Sequence, residues 1–288
     1  MGTILVTGST GFLGNAVVNY LRARQHDVRE ASRAETGNLS GCTAWGRMTQ
    51  GVESIVHCAA LAHVTSTSEL GQIDGFRHIN TDATVALAKA AVKCKVKRLV
   101  FISSIGVNGT ETNGRAFAAT DTPHPTSAYA ISKHEAELAL AKIADDSNLE
   151  VVIIRPPLIL GAHAKGNLQR ALVAMQRGHT LPLGLVTQNR RDIVSINNLA
   201  NLIQVCTTHP AASGKTFLVS DGRSRSTREI FEEVARLGGV KPRFLPIPTS
   251  LLKFGLTLLG KNTMANQLLG NLEINMSDTQ DVLNWAPQ

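Results

Sequence analysis

Short apolar runs alternate with longer stretches of helical spacing along the first half of the chain. Five runs predict strands, at residues 4–7, 28–31, 54–58, 98–103 and 150–155. Three stretches predict helices, at residues 12–24, 73–93 and 128–144. Because several strand runs are apolar on both faces, they suit a parallel sheet that helices cover on each side. The pattern predicts an α/β protein whose ligands bind at the carboxyl ends of the strands.

The pattern changes after residue 155, where prolines and glycines become frequent up to Gly184. Strand and helix patterns return at 193–196, 198–206 and 216–220, and a further helix opens at Ser226. We therefore predict a dinucleotide-binding domain at 1–160 with a return segment at about 192–220. Residues 161–191 and 221–288 are predicted to form a small substrate-binding lobe. An apolar stretch at 245–259 is interrupted by Pro246, Pro248 and Lys253 and is too short to span a membrane, so we expect it to pack on this lobe or at a subunit interface.

Composition excludes several classes of protein. The 288 residues are 43% apolar and 18% charged, which excludes disordered and fibrous chains. The four cysteines form no CxxC pair, and His57, His63 and His163 have no metal-ligand spacing, so we expect neither a disulfide framework nor a metal site.

The net charge of +7 suits an anionic partner, but the basic run at 93–98 lacks aromatic residues, so we expect no nucleic acid. No signal peptide is recognisable, and we expect a cytoplasmic protein.

A glycine-rich turn, Thr7-Gly8-Ser9-Thr10-Gly11-Phe12-Leu13-Gly14, follows the first predicted strand and opens the first predicted helix. Glycines allow a tight turn and a close approach of the backbone to a pyrophosphate, whose charge is met by amides and by the positive end of the helix. A plain glycine-rich turn without a ligand is the alternative. The predicted cofactor contacts in this turn are Gly8, Thr10, Gly11, Phe12, Leu13 and Gly14.

Tyr129 and Lys133 are four residues apart and therefore share one face of a predicted helix. A nearby cation favours phenolate, so we expect Lys133 to lower the pKa of Tyr129 towards a value useful for proton transfer. Ser104, at the carboxyl end of a predicted strand, is placed to hydrogen-bond a substrate oxygen beside the tyrosine. The alternatives are an unrelated surface tyrosine and lysine, and a serine that only caps a turn.

Taken in chain order, these motifs resemble the extended short-chain dehydrogenase/reductases that act on nucleotide sugars. The resemblance spans nearly the whole chain and is greatest for the branch that holds UDP-glucose 4-epimerase relatives and 4-keto-reductases of UDP-N-acetyl-6-deoxyhexosamines. Further motifs in family order are His57-Cys58-Ala59-Ala60, Asn80, Ser103-Ser104 and Arg155-Pro156-Pro157. The resemblance implies a Rossmann-type doubly wound parallel sheet with a small C-terminal substrate-binding lobe.

The same resemblance implies roles for individual residues. Tyr129 would be the acid/base, Lys133 would hold the nicotinamide ribose, and Ser104 would bind the 4-oxygen of the sugar. Further cofactor contacts are implied at Ala59, Ala60 and Pro156, and contacts to the diphosphate of a UDP-sugar at Asn167 and Arg191. A homodimer built on the helices that begin near residues 73 and 128 is typical of the family and is expected here.

Departures from the family pattern bear on the reaction. Family dehydratases carry an Asp-Glu pair where this chain has Ile105-Gly106, which argues against dehydration. Ser32 and Arg33 stand where family epimerases commonly have an acidic residue, and a guanidinium beside a serine suits the 2′-phosphate of NADP. Glu30 and Glu35 lie close enough in sequence to leave NAD as the alternative.

An exchangeable NADPH suits a reductase better than an epimerase, which must regain its own hydride. We therefore predict NADPH-dependent reduction of a UDP-4-keto-6-deoxy-N-acetylhexosamine. The alternatives are a UDP-sugar 4-epimerase that uses bound NAD and, in another class of protein, a non-catalytic NADP-binding sensor or scaffold.

Overall fold

The computed structural model describes residues 2–62, 73–162, 164 and 166–288. The described strands are β1 (Thr3–Thr7), β2 (Val28–Ala31), β3 (Val52–His57), β4 (Arg98–Ile102), β5 (Glu150–Arg155), β6 (Leu158–Leu160), β7 (Ile193–Ser195) and β8 (Thr216–Leu218). The described helices are α1 (Phe12–Arg22), α2 (Arg33–Thr36), α3 (Gly46–Thr49), α4 (Ile73–Phe76), α5 (Ala83–Lys93), α6 (Ala128–Asp145), α7 (Asn167–Gln176), α8 (Ile196–Thr208), α9 (Thr227–Leu237), α10 (Thr249–Leu258), α11 (Asn262–Leu269) and α12 (Ser277–Leu283).

Six strands form one parallel sheet in the order β2-β1-β3-β4-β5-β8, and β6 pairs with β7 in a second, two-stranded sheet. The chain moves outward from β1 to β2 and then crosses back to place β3 on the other side of β1. At this reversal of strand order Thr7 and His57 lie side by side at the carboxyl ends of β1 and β3. Open α/β sheets bind ligands in the crevice at such a reversal. The predicted α/β, doubly wound fold is confirmed.

Helices cover both faces of the sheet. Leu5 and Val6 are both fully buried, but they belong to two different apolar clusters on opposite faces. One cluster contains residues of α1 and α8, and the other contains residues of α5 and α6. Strands that are apolar on both faces are thus explained by helical layers on each side.

The helix predicted at 73–93 is interrupted. Its residues form α4, a π-helical segment at Arg77–Asp82 and then α5. Within the π segment the carbonyl of Asn80 accepts a hydrogen bond of 2.7 Å from the Thr84 hydroxyl. Such wide turns inside α-helices often occur at functional sites.

The last part of the chain divides between two regions. Residues of α7 and α9 form a small apolar cluster that includes Leu168 and Val234. The segment from Leu272 to Trp285 packs instead into the cluster on the α1 and α8 side of the sheet, where the Trp285 indole donates to Asn201. This tail belongs to the predicted substrate-binding lobe, and its apolar side chains pack against the sheet core. The domain boundaries stay a prediction.

None of the helices described has both the length and the apolar character needed to cross a bilayer. Likewise, nowhere in the described ranges do three His, Cys, Asp or Glu side chains group as metal ligands. His63 and His163 lie outside the described residues.

Candidate active site

The glycine-rich turn is packed tightly at the reversal of strand order. Gly8 has a φ of +66°, and a Cβ atom added there would lie 2.9 Å from the backbone nitrogen of Ala59. A Cβ atom on Gly14 would lie 2.1 Å from the carbonyl oxygen of Gly8. Both positions therefore require glycine.

No side chain caps the start of α1, whose first residue follows Gly11. The first amides of this helix are consequently free of side-chain acceptors, which is the arrangement that binds a pyrophosphate. The ring of Phe12 lies against Gly161, where an added Cβ atom would be 2.9 Å from the ring edge. The turn thus has the shape and the donors that a dinucleotide diphosphate requires.

A buried chain of hydrogen bonds holds the loop that covers Gly8. The Thr7 hydroxyl lies 2.6 Å from Nδ1 of His57, and Nε2 of His57 lies 2.9 Å from the Thr84 hydroxyl. The Ala59 amide donates to the Thr7 hydroxyl oxygen at 3.3 Å. Burial, helped by the charge of Lys133, lowers the pKa of His57 to about 3. A neutral His57 therefore joins two strands and a helix behind the loop.

Asn80 holds the same loop from its other side. Its side-chain oxygen accepts from the Leu61 amide at 2.8 Å, while its side-chain nitrogen donates to the Leu61 carbonyl at 3.1 Å and to the Ser132 hydroxyl at 3.0 Å. Asn80 is 1% exposed. It ties the residues that follow β3, including the predicted cofactor contacts Ala59 and Ala60, to α6.

The predicted tyrosine and lysine both lie on α6. Ser127 caps this helix by accepting from the Ala130 amide at 3.1 Å. Lys133 is 1% exposed, and its ammonium lies 3.8 Å from the centre of the Phe101 ring on β4. Burial lowers the pKa of Lys133 to about 7, against the attraction of Glu137 and Cys58. Tyr129 is partly buried, with its ring edge-on to Phe76 at 6.2 Å.

The expectation that Lys133 lowers the pKa of Tyr129 is wrong. Burial raises the pKa of Tyr129 to about 12 instead of lowering it. The Lys133 ammonium faces the Phe101 ring, which attracts cations. With this pKa the phenol is protonated at neutral pH, and within the described chain its hydroxyl forms no hydrogen bond.

Ser104 lies at the carboxyl end of β4, where its hydroxyl caps a 3-10 turn by accepting from the Gly106 amide at 3.1 Å. A Cβ atom on Gly106 would lie 3.4 Å from the Cβ atom of Ala130, so this turn packs against the start of α6. The Ile105 amide donates to the carbonyl of Pro156 at 3.0 Å. Ser104 accepts in this cap, and its hydroxyl donates to no residue that the structure describes.

A buried ion pair lies one turn beyond Lys133 on α6. The Glu137 carboxylate receives the guanidinium of Arg155 at 3.0 and 2.6 Å, and both side chains are nearly inaccessible to solvent. Arg155 also donates to the side-chain oxygen of Asn108 at 3.0 Å. The pair joins α6, the end of β5 and the segment after Ser104. No local sequence pattern predicts this ion pair; the sequence signal was the spacing of Glu137 from Lys133.

The residues predicted to select NADP adopt a more complex arrangement than expected. Ser32 caps α2 in a capping box, where both its amide and its hydroxyl donate to the Glu35 carboxylate. These hydrogen bonds lower the pKa of Glu35. The Ser32 hydroxyl is therefore engaged with an anion, not free for a phosphate. Arg33 is exposed and makes no ion pair within the described ranges.

The residues expected to contact the diphosphate of the sugar nucleotide lie on separate elements of the lobe. Asn167 is exposed at the start of α7. Arg191 donates to the carbonyl of Gly270 at 2.9 Å, and burial lowers its pKa. No hydrogen bond between described residues connects either of them to Ser104 or Tyr129. Lys165, next to Asn167 in the motif, lies outside the described residues.

Comparison with known proteins identifies relatives over the whole chain. The model of the NAD dependent epimerase/dehydratase family matches residues 4–220. A UDP-glucose 4-epimerase from Vibrio cholerae is 40% identical over 298 residues, which cover 99% of this chain and 90% of that protein.

Solved structures show the same fold. MoeE5 in complex with UDP-glucose and NAD has a TM-score of 0.78 at 20% identity, over 100% of this chain and 94% of that one. The UDP-N-acetylglucosamine 4-epimerase from Bacillus cereus has a TM-score of 0.79 at 19% identity, with the same two coverages.

Proposed function

The chain belongs to the NAD dependent epimerase/dehydratase family, and on that premise we propose that it carries out nicotinamide-dependent oxidoreduction at C4 of a UDP-hexose. The observation that carries this proposal is the environment of α6. A protonated Tyr129 and a desolvated Lys133 share one helix, and Asn80 ties this helix to the loop that covers the glycine turn.

Each of the three predicted catalytic residues has a separate role in the proposed reaction. The nicotinamide, when bound, supplies or accepts the hydride. The Tyr129 phenol gives its proton to the C4 oxygen, while the Ser104 hydroxyl donates a hydrogen bond to the same oxygen and stabilises its developing charge. Lys133, on the same face of α6, is proposed to hold the ribose of the nicotinamide.

We propose that the reaction is the reduction of a UDP-4-keto-6-deoxy-N-acetylhexosamine. A phenol with a pKa of about 12 is a proton donor at rest, which is the state that carbonyl reduction needs. Ile105 and Gly106 supply no second acid or base after Ser104, which argues against dehydration.

UDP-sugar 4-epimerisation is the second candidate, because the Vibrio cholerae relative at 40% identity is a UDP-glucose 4-epimerase. It would use the same three side chains in both directions. One experiment separates the two reactions. The purified protein is incubated with NADPH and the 4-keto sugar nucleotide, and separately with UDP-N-acetylglucosamine without added cofactor. Loss of NADPH absorbance in the first supports reduction, whereas a 4-epimer in the second supports epimerisation.

The variant Tyr129→Phe tests catalysis itself. We expect it to retain NADPH binding, measured by fluorescence titration, and to lose turnover. Unchanged turnover would overturn the role of Tyr129. An absence of any turnover in the unmodified protein with both substrates, together with intact NADPH binding, would favour a non-catalytic sensor.

We propose NADPH as the preferred cofactor, with Arg33 as the residue that pairs with its 2′-phosphate. An exposed guanidinium just after β2 suits this phosphate by charge and by bidentate geometry. Glu35 opposes the binding of this phosphate, because its carboxylate accepts a hydrogen bond from the Ser32 hydroxyl and brings a negative charge there.

The ratio of kcat/KM with NADPH to that with NADH tests this assignment. We expect Arg33→Ala to lower the ratio by about tenfold, the size of a lost charge-assisted hydrogen bond. Glu35→Gln should raise the ratio, and the exposed Arg177→Ala should leave it unchanged. An Arg33→Ala ratio equal to that of the unmodified protein would assign the preference to other residues.

For the sugar nucleotide we propose that Asn167 and Arg191 bind the diphosphate. Arg191→Ala should then raise KM for the sugar nucleotide and leave KM for NADPH unchanged. A homodimer is proposed from family resemblance, and sedimentation velocity tests it.

A further inference from the structure

Helix α10 exposes large apolar side chains to solvent. None of its residues is buried, and Leu251, Phe254 and Leu258 are 59%, 60% and 72% exposed. Because these three residues are spaced i, i+3 and i+7, they form one stripe along the helix. Leu259, directly after the helix, is 69% exposed and extends the apolar surface. We call these four residues the apolar stripe.

The orientation of α10 is fixed by contacts on its other side. Leu252 packs with Leu268 and Phe244 against the cluster formed by Leu183, Val186 and Phe231. One face of α10 therefore packs on the core of the lobe, and the apolar stripe is a second, separate apolar face. A contiguous exposed apolar surface rimmed by polar residues marks an interaction site.

The segment of chain that carries the apolar stripe is positively charged. Residues 237–272 contain no Asp or Glu but include four cations, Lys241, Arg243, Lys253 and Lys261. All four are exposed, and none of them forms a salt bridge with a described residue. Lys253 lies on α10 itself, and Lys261 follows shortly after the end of α10.

We propose that α10 docks this protein on the surface of an anionic lipid bilayer. The apolar stripe enters the boundary between headgroups and acyl chains, while the four cations contact the lipid phosphates. The ten residues of α10 extend about 15 Å, so the helix lies in the plane of the interface and does not cross it.

Charge argues against a second copy of the chain as the occupant. A two-fold symmetric contact would bring the same patch of both copies together. Four cations from each copy would then face each other with no acidic residue of residues 237–272 to compensate them. An anionic bilayer instead complements the charge and the apolar stripe together.

Sedimentation with lipid vesicles tests the proposal on the full chain. We expect binding to vesicles of equimolar phosphatidylcholine and phosphatidylglycerol, and much weaker binding to phosphatidylcholine alone. Phe254→Ser/Leu258→Ser should weaken binding by more than about tenfold, because two inserted side chains are lost. Lys253→Glu/Lys261→Glu should weaken it by at least roughly 25-fold, taking about fivefold per charge removed.

Controls come from outside α10 and outside the helices of the proposed dimer. Val173 on α7 is 37% exposed, and Lys215, just before β8, is exposed. Val173→Ser and Lys215→Glu should bind vesicles like the unmodified protein. Thermal melting and NADPH titration confirm that each α10 variant is folded.

Three results would overturn the proposal. The first is that the unmodified protein does not bind the mixed vesicles. The second is that a folded α10 variant binds them as well as the control variants do. The third is that sedimentation velocity shows a self-associated form, which Phe254→Ser/Leu258→Ser dissociates although this variant still binds vesicles.

Discussion

Replacing Lys133 by methionine should remove the pH-dependent free-energy cost of burying a lysine in the folded protein. Burial lowers the pKa of Lys133 from its ordinary value of 10.5 to about 7. Each pKa unit corresponds to about 1.4 kcal/mol, so the native state disfavours protonated Lys133 by up to about 5 kcal/mol. Between pH 7 and pH 10.5 the unfolded chain holds the lysine proton and the native protein does not. Stability of the unmodified protein therefore rises with pH through this window, and the full cost is present only below it.

The assay is urea unfolding of the ligand-free protein at pH 7 and at pH 9. Relative to Lys133→Met, the unmodified protein should gain about 2 kcal/mol of unfolding free energy between these two pH values. Lys142→Met, which replaces an exposed lysine of the same helix, should follow the unmodified protein at both. Parallel pH dependence for Lys133→Met and the unmodified protein would refute the reasoning, because it would show that Lys133 keeps its proton in the native state.

Three further predictions concern the packing behind the site. Gly14→Ala should weaken NADPH binding by more than about tenfold in a fluorescence titration, because the added Cβ atom would overlap the Gly8 carbonyl. A Cβ atom added at Gly46 would meet no atom within 4 Å, so the control Gly46→Ala should bind NADPH normally. Glu137→Gln should lower the unfolding free energy by about 3–5 kcal/mol in urea, because it leaves a buried guanidinium without its partner. Glu232→Gln, at the exposed pair with Arg228, should cost less than about 1 kcal/mol. With a pKa of about 3, the His57 ring should show no titration between pH 5 and pH 8 by NMR, and a midpoint near 6.5 would contradict the buried hydrogen-bond chain.

The sheet could be predicted from the sequence because several of its strands are apolar on both faces. The run that contains Leu5 and Val6 is such a strand, and the structure buries both residues completely. The glycine turn and the Tyr129 and Lys133 pair were also found by spacing, which fixes a helix face. Spacing does not fix burial, however, and burial determines the pKa of both groups. The predicted direction for Tyr129 was wrong for that reason.

Other parts of the site depend on contacts between distant segments. Arg155 meets Glu137 only after β5 and α6 have packed together, so no local pattern announces their ion pair. The arrangement at Ser32 was different, because Ser32-Arg33-Ala34-Glu35 is itself a capping-box sequence. That local signal already indicated that the serine hydroxyl would serve the helix start.

The position of β8 has a consequence for engineering. This outermost strand pairs with β5, yet residues 156–215, including β6, β7 and α7, come between the two strands in the chain. Excising everything after Arg155 would leave the β5 edge open to intermolecular pairing, and the fragment should aggregate. To change the substrate specificity of this protein, the segment between β6 and β7 should therefore be exchanged internally. Joining the new segment after β6 and before β7 retains β8 in the sheet.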